Sequence, residues 1–128
     1  MHIMKQTRQT KQREVLESVC MESEQPLTID EILEAAHTLL PSLNRVTAYR
    51  NLNRMVEAGE LTRVSHPIKG TLYERADRPH HHHFFCKRCE SAFELPGCGL
   101  SESKMTPKGF VVESHEVFLH GLCATCAS

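Results

Sequence analysis

Two short cysteine pairs, Cys86-x2-Cys89 and Cys123-x2-Cys126, constrain this 128-residue chain more than any other feature. Each pair places two thiolates on one tight turn. Two such turns complete a tetrahedron of soft sulfur ligands, the set that zinc favours. The interval between the pairs is longer than in a compact zinc finger and leaves room for strands. Four thiolates leave no position open for substrate, so the expected site is structural. Two disulfides or buried free thiols are the other readings of the spacing. Met1 to Arg13 is polar and basic and lacks the apolar stretch of a secretory signal, so a cytoplasmic chain is expected. There, cysteines serve as thiols and metal ligands rather than disulfides.

Apolar residues make up 40% of the chain and there is no Trp. A core is within reach but small, and small cores rely on metals or partner subunits. No run of about 18 apolar residues suggests a membrane span. The net charge of -1 selects no partner. Its distribution says more: Lys5, Arg8, Lys11 and Arg13 are uninterrupted by any acid. Such an arm can touch phosphates, or it can simply fray in solvent.

The two halves differ in chemistry, with a hinge expected between Ser65 and Thr71, where Pro67 and Gly70 interrupt regular structure. This predicts domains at 1–68 and 69–128 in an α+β chain. In the first, Thr10 is expected to cap a helix bearing Val15, Leu16 and Val19. Thr28 and Glu31 form a capping box for a second helix, striped by Ile29, Ile32, Leu33 and Ala36. Asn44 caps a third helix with apolar Val46, Leu52, Met55 and Val56, stopped by Gly59. Residues 61–64 and 71–73 then read as a hairpin. This is the order of a winged helix-turn-helix, whose last helix enters the DNA major groove. Its outer face offers Arg45, Thr47, Tyr49, Arg50, Asn53 and Arg54, able to grip phosphates or read bases. A plain three-helix bundle with a polar face is the alternative.

In the second half, His80, His81, His82 and His83 precede the first cysteine pair. If extended, His81 and His83 face one way and His80 and His82 the other, which can feed two metal sites. Imidazole ligates zinc, iron, nickel and manganese alike. Glu74, Glu94, Glu102 and His115 are the groups available to complete such sites. A solvated polar run is the bland reading. Residues 109–120 read as strands, Cys20 as a packing residue and Cys98 as a loop thiol. No helical His-Glu-x2-His motif or acid-base set implies an enzyme or a small organic substrate. A metal buffer or trafficking protein is the rival class, but it would leave Tyr49 and Arg50 idle.

Four pieces, in this order, carry a family resemblance: Thr10-Lys-Gln-Arg13, Thr47-Ala-Tyr-Arg-Asn-Leu52, His80-His-His-His-Phe-Phe-Cys-x2-Cys89 and Gly121-x-Cys-x2-Cys126. The chain resembles the ferric uptake regulator family of metal-dependent repressors, which includes iron, zinc and peroxide sensors. The resemblance implies a homodimer. Its winged helices bind an AT-rich palindrome in double-stranded DNA and its C-terminal α/β domain dimerises. Tyr49 would approach bases and Arg50 phosphate. The four cysteines match structural Zn2+. Glu74, His81, His83 and Glu94 match a regulatory site at the hinge, taking Zn2+, Fe2+, Mn2+ or Ni2+. His80, His82 and His115 match a further site, with Glu102 one position off the matching acid. The family's usual hinge His before the second helix is missing from Gln25-Pro26-Leu27, so His66 or His37 is the substitute to examine. Residues 98–108 are abbreviated where relatives carry a longer helix. A metal bonding ligands from both halves would set the angle between the recognition helices. Repression of metal-uptake genes under metal excess is the expected output, with a peroxide-responsive regulator of the same family as the alternative.

Overall fold

The computed structural model describes residues 7–128, so Lys5 of the basic arm lies outside the described residues. The chain forms two units, the first ending at Asp77 and the second running Arg78–Ser128.

The first unit is built from α1 (Arg8–Glu22), β1 (Leu27–Thr28), α2 (Ile29–His37), α3 (Arg45–Glu57), β2 (Leu61–His66) and β3 (Gly70–Arg75). Thr7, not Thr10, caps α1: its hydroxyl accepts from the Thr10 backbone N–H at 3.0 Å. Two threonines three residues apart could each cap, and the earlier one starts the helix a turn sooner. Arg8, Lys11 and Arg13 therefore lie on α1, not on an arm. The Thr28/Glu31 capping box forms as expected. Ile29, Ile32, Leu33 and Ala36 are all buried. The Asn44 side chain accepts from Thr47 N–H at 2.8 Å. Gly59 closes α3 at φ 77, with Gly59 N–H on Val56 O and Glu60 N–H on Met55 O. That pair of bonds is a Schellman motif, and glycine suits its left-handed position.

Helix α3 departs from expectation at Val46, which is exposed; Leu52 and Met55 face the core as expected, joined by Ala48. One continuous apolar cluster links α1, α2 and α3 to Leu61 and Tyr73 of the hairpin. The sheet order is β1-β3-β2, all antiparallel. This moves the unit boundary later than the expected 68/69. β3 pairs residue by residue with β2, from Leu61↔Arg75 to His66↔Gly70, so both strands belong to the wing. A break at Pro67 and Gly70 is a hairpin turn, not a hinge.

The second unit comprises β4 (His81–Cys86), β5 (Ala92–Pro96), α4 (Glu102–Met105), β6 (Phe118–Gly121) and α5 (Ala124–Ala127). β4 is central, antiparallel to β5 and parallel to β6. Residues 109–117 form no strand, contrary to expectation, and Phe110 and Val111 are exposed. A short α4 is all the helix that residues 98–108 supply, as Gly99 and Pro107 foretell. Among the described residues, no helix is long and apolar enough to cross a membrane.

Candidate metal centres

The register of the second sheet builds the cysteine cluster. Parallel pairing sets Cys86 opposite Gly121, so the turn after β4 and the turn after β6 leave the sheet side by side. Lys87 N–H donates to Gly121 O at 2.8 Å and Arg88 donates to Cys126 O at 2.9 Å, tying the turns together. Glu90, at φ 61, is the tight corner after Cys89. The Sγ atoms of Cys86, Cys89, Cys123 and Cys126 lie within 4.8 Å of one another, with Cys89 and Cys123 3.9 Å apart. Zinc–sulfur bonds of about 2.3 Å in a tetrahedron put sulfurs about 3.8 Å apart, so the set fits zinc.

The protonation pattern agrees. Cys86 is held down to about 5, first by a backbone hydrogen bond from Cys123 and then by those of Cys89 and Arg88, against its burial. Cys89 is lowered, chiefly by hydrogen bonds from Ser91. Cys126 is pushed up to about 12 by its thiol neighbours, Cys123 first. The cluster stabilises the first negative charges and opposes the last. A dication among the sulfurs removes that opposition.

Strand β4 carries its histidines as an extended run should. The His81 and His83 rings pack 4.9 Å apart, and His80 and His82 pack 4.8 Å apart on the other side. On the first face, His81 Nδ1 is 2.6 Å from Pro79 O and 3.4 Å from Glu94 Oε1. His83 is buried and stacks on Phe118. Glu94, paired with His83 in the sheet register, is gripped by the Arg78 guanidinium. An arginine on that carboxylate competes with any metal for it, a feature that spacing could not reveal.

On the second face the donors converge closely. His115 Nε2 lies 3.1 Å from His80 Nε2 and 3.2 Å from His82 Nε2. The pKa of His82 is lowered, first by burial and then by the neighbouring His80 and His115, which favours the neutral, ligating form. Cys98, expected as a loop thiol, joins this group: its Sγ is 3.0 Å from His82 Nε2 and 3.3 Å from His115 Nε2. Glu102 stands behind, its carboxylate 2.7 Å from His115 Nδ1.

Glu74 and His66 belong to the wing. Glu74 sits opposite Thr62 on β3. His66 is buried and its Nδ1 accepts the Ile68 and Lys69 N–H groups at 3.0 Å, a role inside its own hairpin turn. His37 Nε2 is 2.7 Å from Leu43 O and closes the turn between α2 and α3. Cys20 is buried in the core, which pushes its thiol up to about 12 and leaves it unreactive.

The outer face of α3 presents Arg45, Tyr49, Arg50, Asn53 and Arg54, with Thr47 half-buried. Several of these are already engaged, Tyr49 among them through a hydrogen bond with Arg45. Arg45 pairs with Asp30, and that hydrogen bond raises its pKa. Asn53 Oδ1 accepts from Arg63 of the wing at 2.6 Å. Arg13, on α1, pairs with Glu17 at 3.7 Å.

Comparison with known proteins bears on these features together. The model of the ferric uptake regulator family matches residues 4–120. The ferric uptake regulation protein of Campylobacter jejuni is 34% identical over 122 residues, spanning 91% of this chain and 78% of that protein. The Helicobacter pylori ferric uptake regulator Fur, whose structure is described as having three functional metal binding sites, superposes with a TM-score of 0.78. It is 23% identical, covering 92% of this chain and 81% of that one. A zinc uptake regulator solved with zinc and DNA superposes with a TM-score of 0.61 at 25% identity, covering 94% and 84%.

Proposed function

Because the chain belongs to the ferric uptake regulator family of metal-responsive transcriptional regulators, we propose that it is a homodimeric repressor of metal-uptake genes. It binds operator DNA when a regulatory divalent metal is bound. The observation that supports this most is the build of His80 and β4, where two opposed pairs of histidines run directly into the cysteine knuckle. Zinc at Cys86, Cys89, Cys123 and Cys126 holds the sheet. The histidine faces are left to respond to metal supply.

For the regulatory site, the second unit contributes His81, His83 and Glu94; Glu74 and His66 stay candidates by family resemblance and by sequence position respectively. The further site uses His80, His82 and His115. Winged-helix contacts come from α3, with Tyr49 toward bases and Arg50 and Arg54 toward phosphates of an AT-rich palindrome. Thr47 sits at the rim of that face, Arg13 adds charge from α1, and Arg45 must exchange Asp30 for phosphate. Phe110 and Val111, exposed in the single chain, suit burial against a second copy.

A metal acts as co-repressor only if it binds the DNA-competent conformation better than the other. Turning a mostly inactive population mostly active needs about 5 kcal/mol of differential affinity, which a few imidazole and carboxylate bonds can supply. The test is operator binding by the zinc-loaded protein during titration with a second divalent metal, in wild type and in the His81→Ala, His83→Ala double variant. Salt-sensitive binding that rises with metal in the wild type and stays flat in the variant supports the reading. An undiminished metal response in the variant overturns the regulatory role of these histidines.

A further inference from the structure

We propose that Cys98 is the fourth ligand of a closed three-nitrogen, one-sulfur metal site with His80, His82 and His115. Glu102 then positions His115 instead of ligating, and the site selects zinc over iron. This rests on the reading of the three histidines as a metal site and names the chemistry of that site.

Geometry carries the inference. The three Nε2 atoms and Cys98 Sγ lie within 4.8 Å of one another. Four of the distances among them fall between 3.0 and 3.3 Å. A tetrahedral zinc with bonds of about 2.0–2.1 Å to nitrogen and about 2.3 Å to sulfur has edges of about 3.3–3.6 Å, so the donors are already near ligand spacing. Hydrogen bonding accounts for only part of the convergence. A carboxylate can only accept, so Glu102 selects the His115 tautomer with the proton on Nδ1, the one that presents the Nε2 lone pair to the cluster. That one lone pair faces His80, His82 and Cys98 at once, more groups than it can accept from well. A cation among them satisfies all four.

The chain path makes the thiol available. β5 ends at Pro96, and Gly97, at φ 79, turns the backbone so that Cys98 returns over His82. A side chain at that φ is strained, so the turn belongs to glycine. The Glu102 carboxylate is one residue farther along this route than Ser101, the N-cap of α4, and reaches the back of His115 and not the centre.

The donor set decides the metal. Three imidazoles and one thiolate in a tetrahedron suit zinc, and cobalt as its spectroscopic stand-in. Ferrous iron in non-haem sites keeps carboxylate ligands and open positions. Four protein ligands leave none open, so this site stores or senses zinc and does not perform chemistry on a substrate.

The experiment is a cobalt(II) titration of the full-length protein carrying zinc at its four paired cysteines, in wild type and in Cys98→Ser, Glu102→Gln and His115→Ala variants. Cys20 is buried in the other unit, so a new thiolate-to-cobalt charge-transfer band in the near ultraviolet must come from Cys98. The expected result is such a band in wild type, its loss in Cys98→Ser with visible ligand-field absorption retained, and its loss in His115→Ala. Glu102→Gln should keep the band while weakening binding about 10- to 100-fold, the usual effect of losing a carboxylate behind a ligating histidine. Wild-type cobalt uptake that His115→Ala reduces, but with no thiolate band, would overturn Cys98 as ligand and leave the histidine site standing. If His115→Ala changes neither uptake nor spectrum, the histidine site itself is wrong. A band abolished by Glu102→Gln with affinity unchanged would contradict the positioning role.

Discussion

Residues 8–75 bury one connected set of apolar side chains, from Val15 and Leu16 through Ile32, Leu52 and Met55 to Tyr73. Residues 78–128 bury Phe85, Cys86, His82 and His83, and among the described residues no other side chain of that unit is buried. The first unit has what an ordinary small domain needs: capped helices, a Schellman stop and a core between three helices and a sheet. The second has a three-stranded sheet, two four-residue helices and little to bury. A unit of that size cannot offset its chain entropy with apolar area alone. What it has in place of a core is clustered cysteine and histidine side chains able to hold a metal. The contrast predicts that metal in the second unit serves the fold before it serves any signal.

The largest effect should follow from attacking that dependence. Structural zinc contributes about 10–16 kcal/mol in small zinc domains, which exceeds or matches the whole stability of a typical one. Cys86→Ser is therefore expected to unfold residues 78–128, lose the bound zinc and abolish dimerisation, while helical circular dichroism from the first unit persists. Zinc analysis with sedimentation checks it; a zinc-replete, folded dimer would show that the second unit does not depend on its metal.

The converse change is smaller. Leu52 is fully buried between the helices of the first unit. Leu52→Ala should cost about 2–5 kcal/mol of that unit's stability through the cavity it leaves, with zinc content unchanged. Denaturant unfolding followed by helical signal measures it. Coupled loss of zinc would show that the two units do not unfold independently.

Smaller again is the loss of one cap. Thr28→Ala removes an acceptor from Glu31 N–H and one half of the capping box. About 1 kcal/mol is expected, read as a modest drop in the unfolding midpoint of the first unit alone.

The units also differ in how far the sequence foretold them. Local chemistry was legible: the Thr28/Glu31 box, the Asn44 cap and the Gly59 stop depend on residues a few positions apart. The cysteine pairs and the alternation of His80 to His83 were legible for the same reason. Three features depend on distant chain and were not. β3 joins the wing because it pairs with β2 and β1, which places the boundary at Asp77. Residues 109–117 look strand-like, yet among the described residues they form no strand; β4 reaches them at Val117, whose carbonyl accepts from His83 N–H. Cys98 reads as a loop thiol in Pro96-Gly-Cys-Gly99, and only the return of that loop over β4 brings it to the histidines. Helix α1 is a local miss, since Thr7 and Thr10 both carry capping chemistry and only the backbone chooses between them. At Val46, apolar character alone did not reveal which way α3 faces; the core is met by Ala48, Leu52 and Met55.

Amide hydrogen exchange on the full-length protein before and after zinc chelation tests whether zinc folds the second unit while an apolar core folds the first. Protection is expected to be lost across the strands of residues 81–121 and kept across the helices and wing of residues 8–75. Protection lost from both units together, or retained in both, would contradict that expectation.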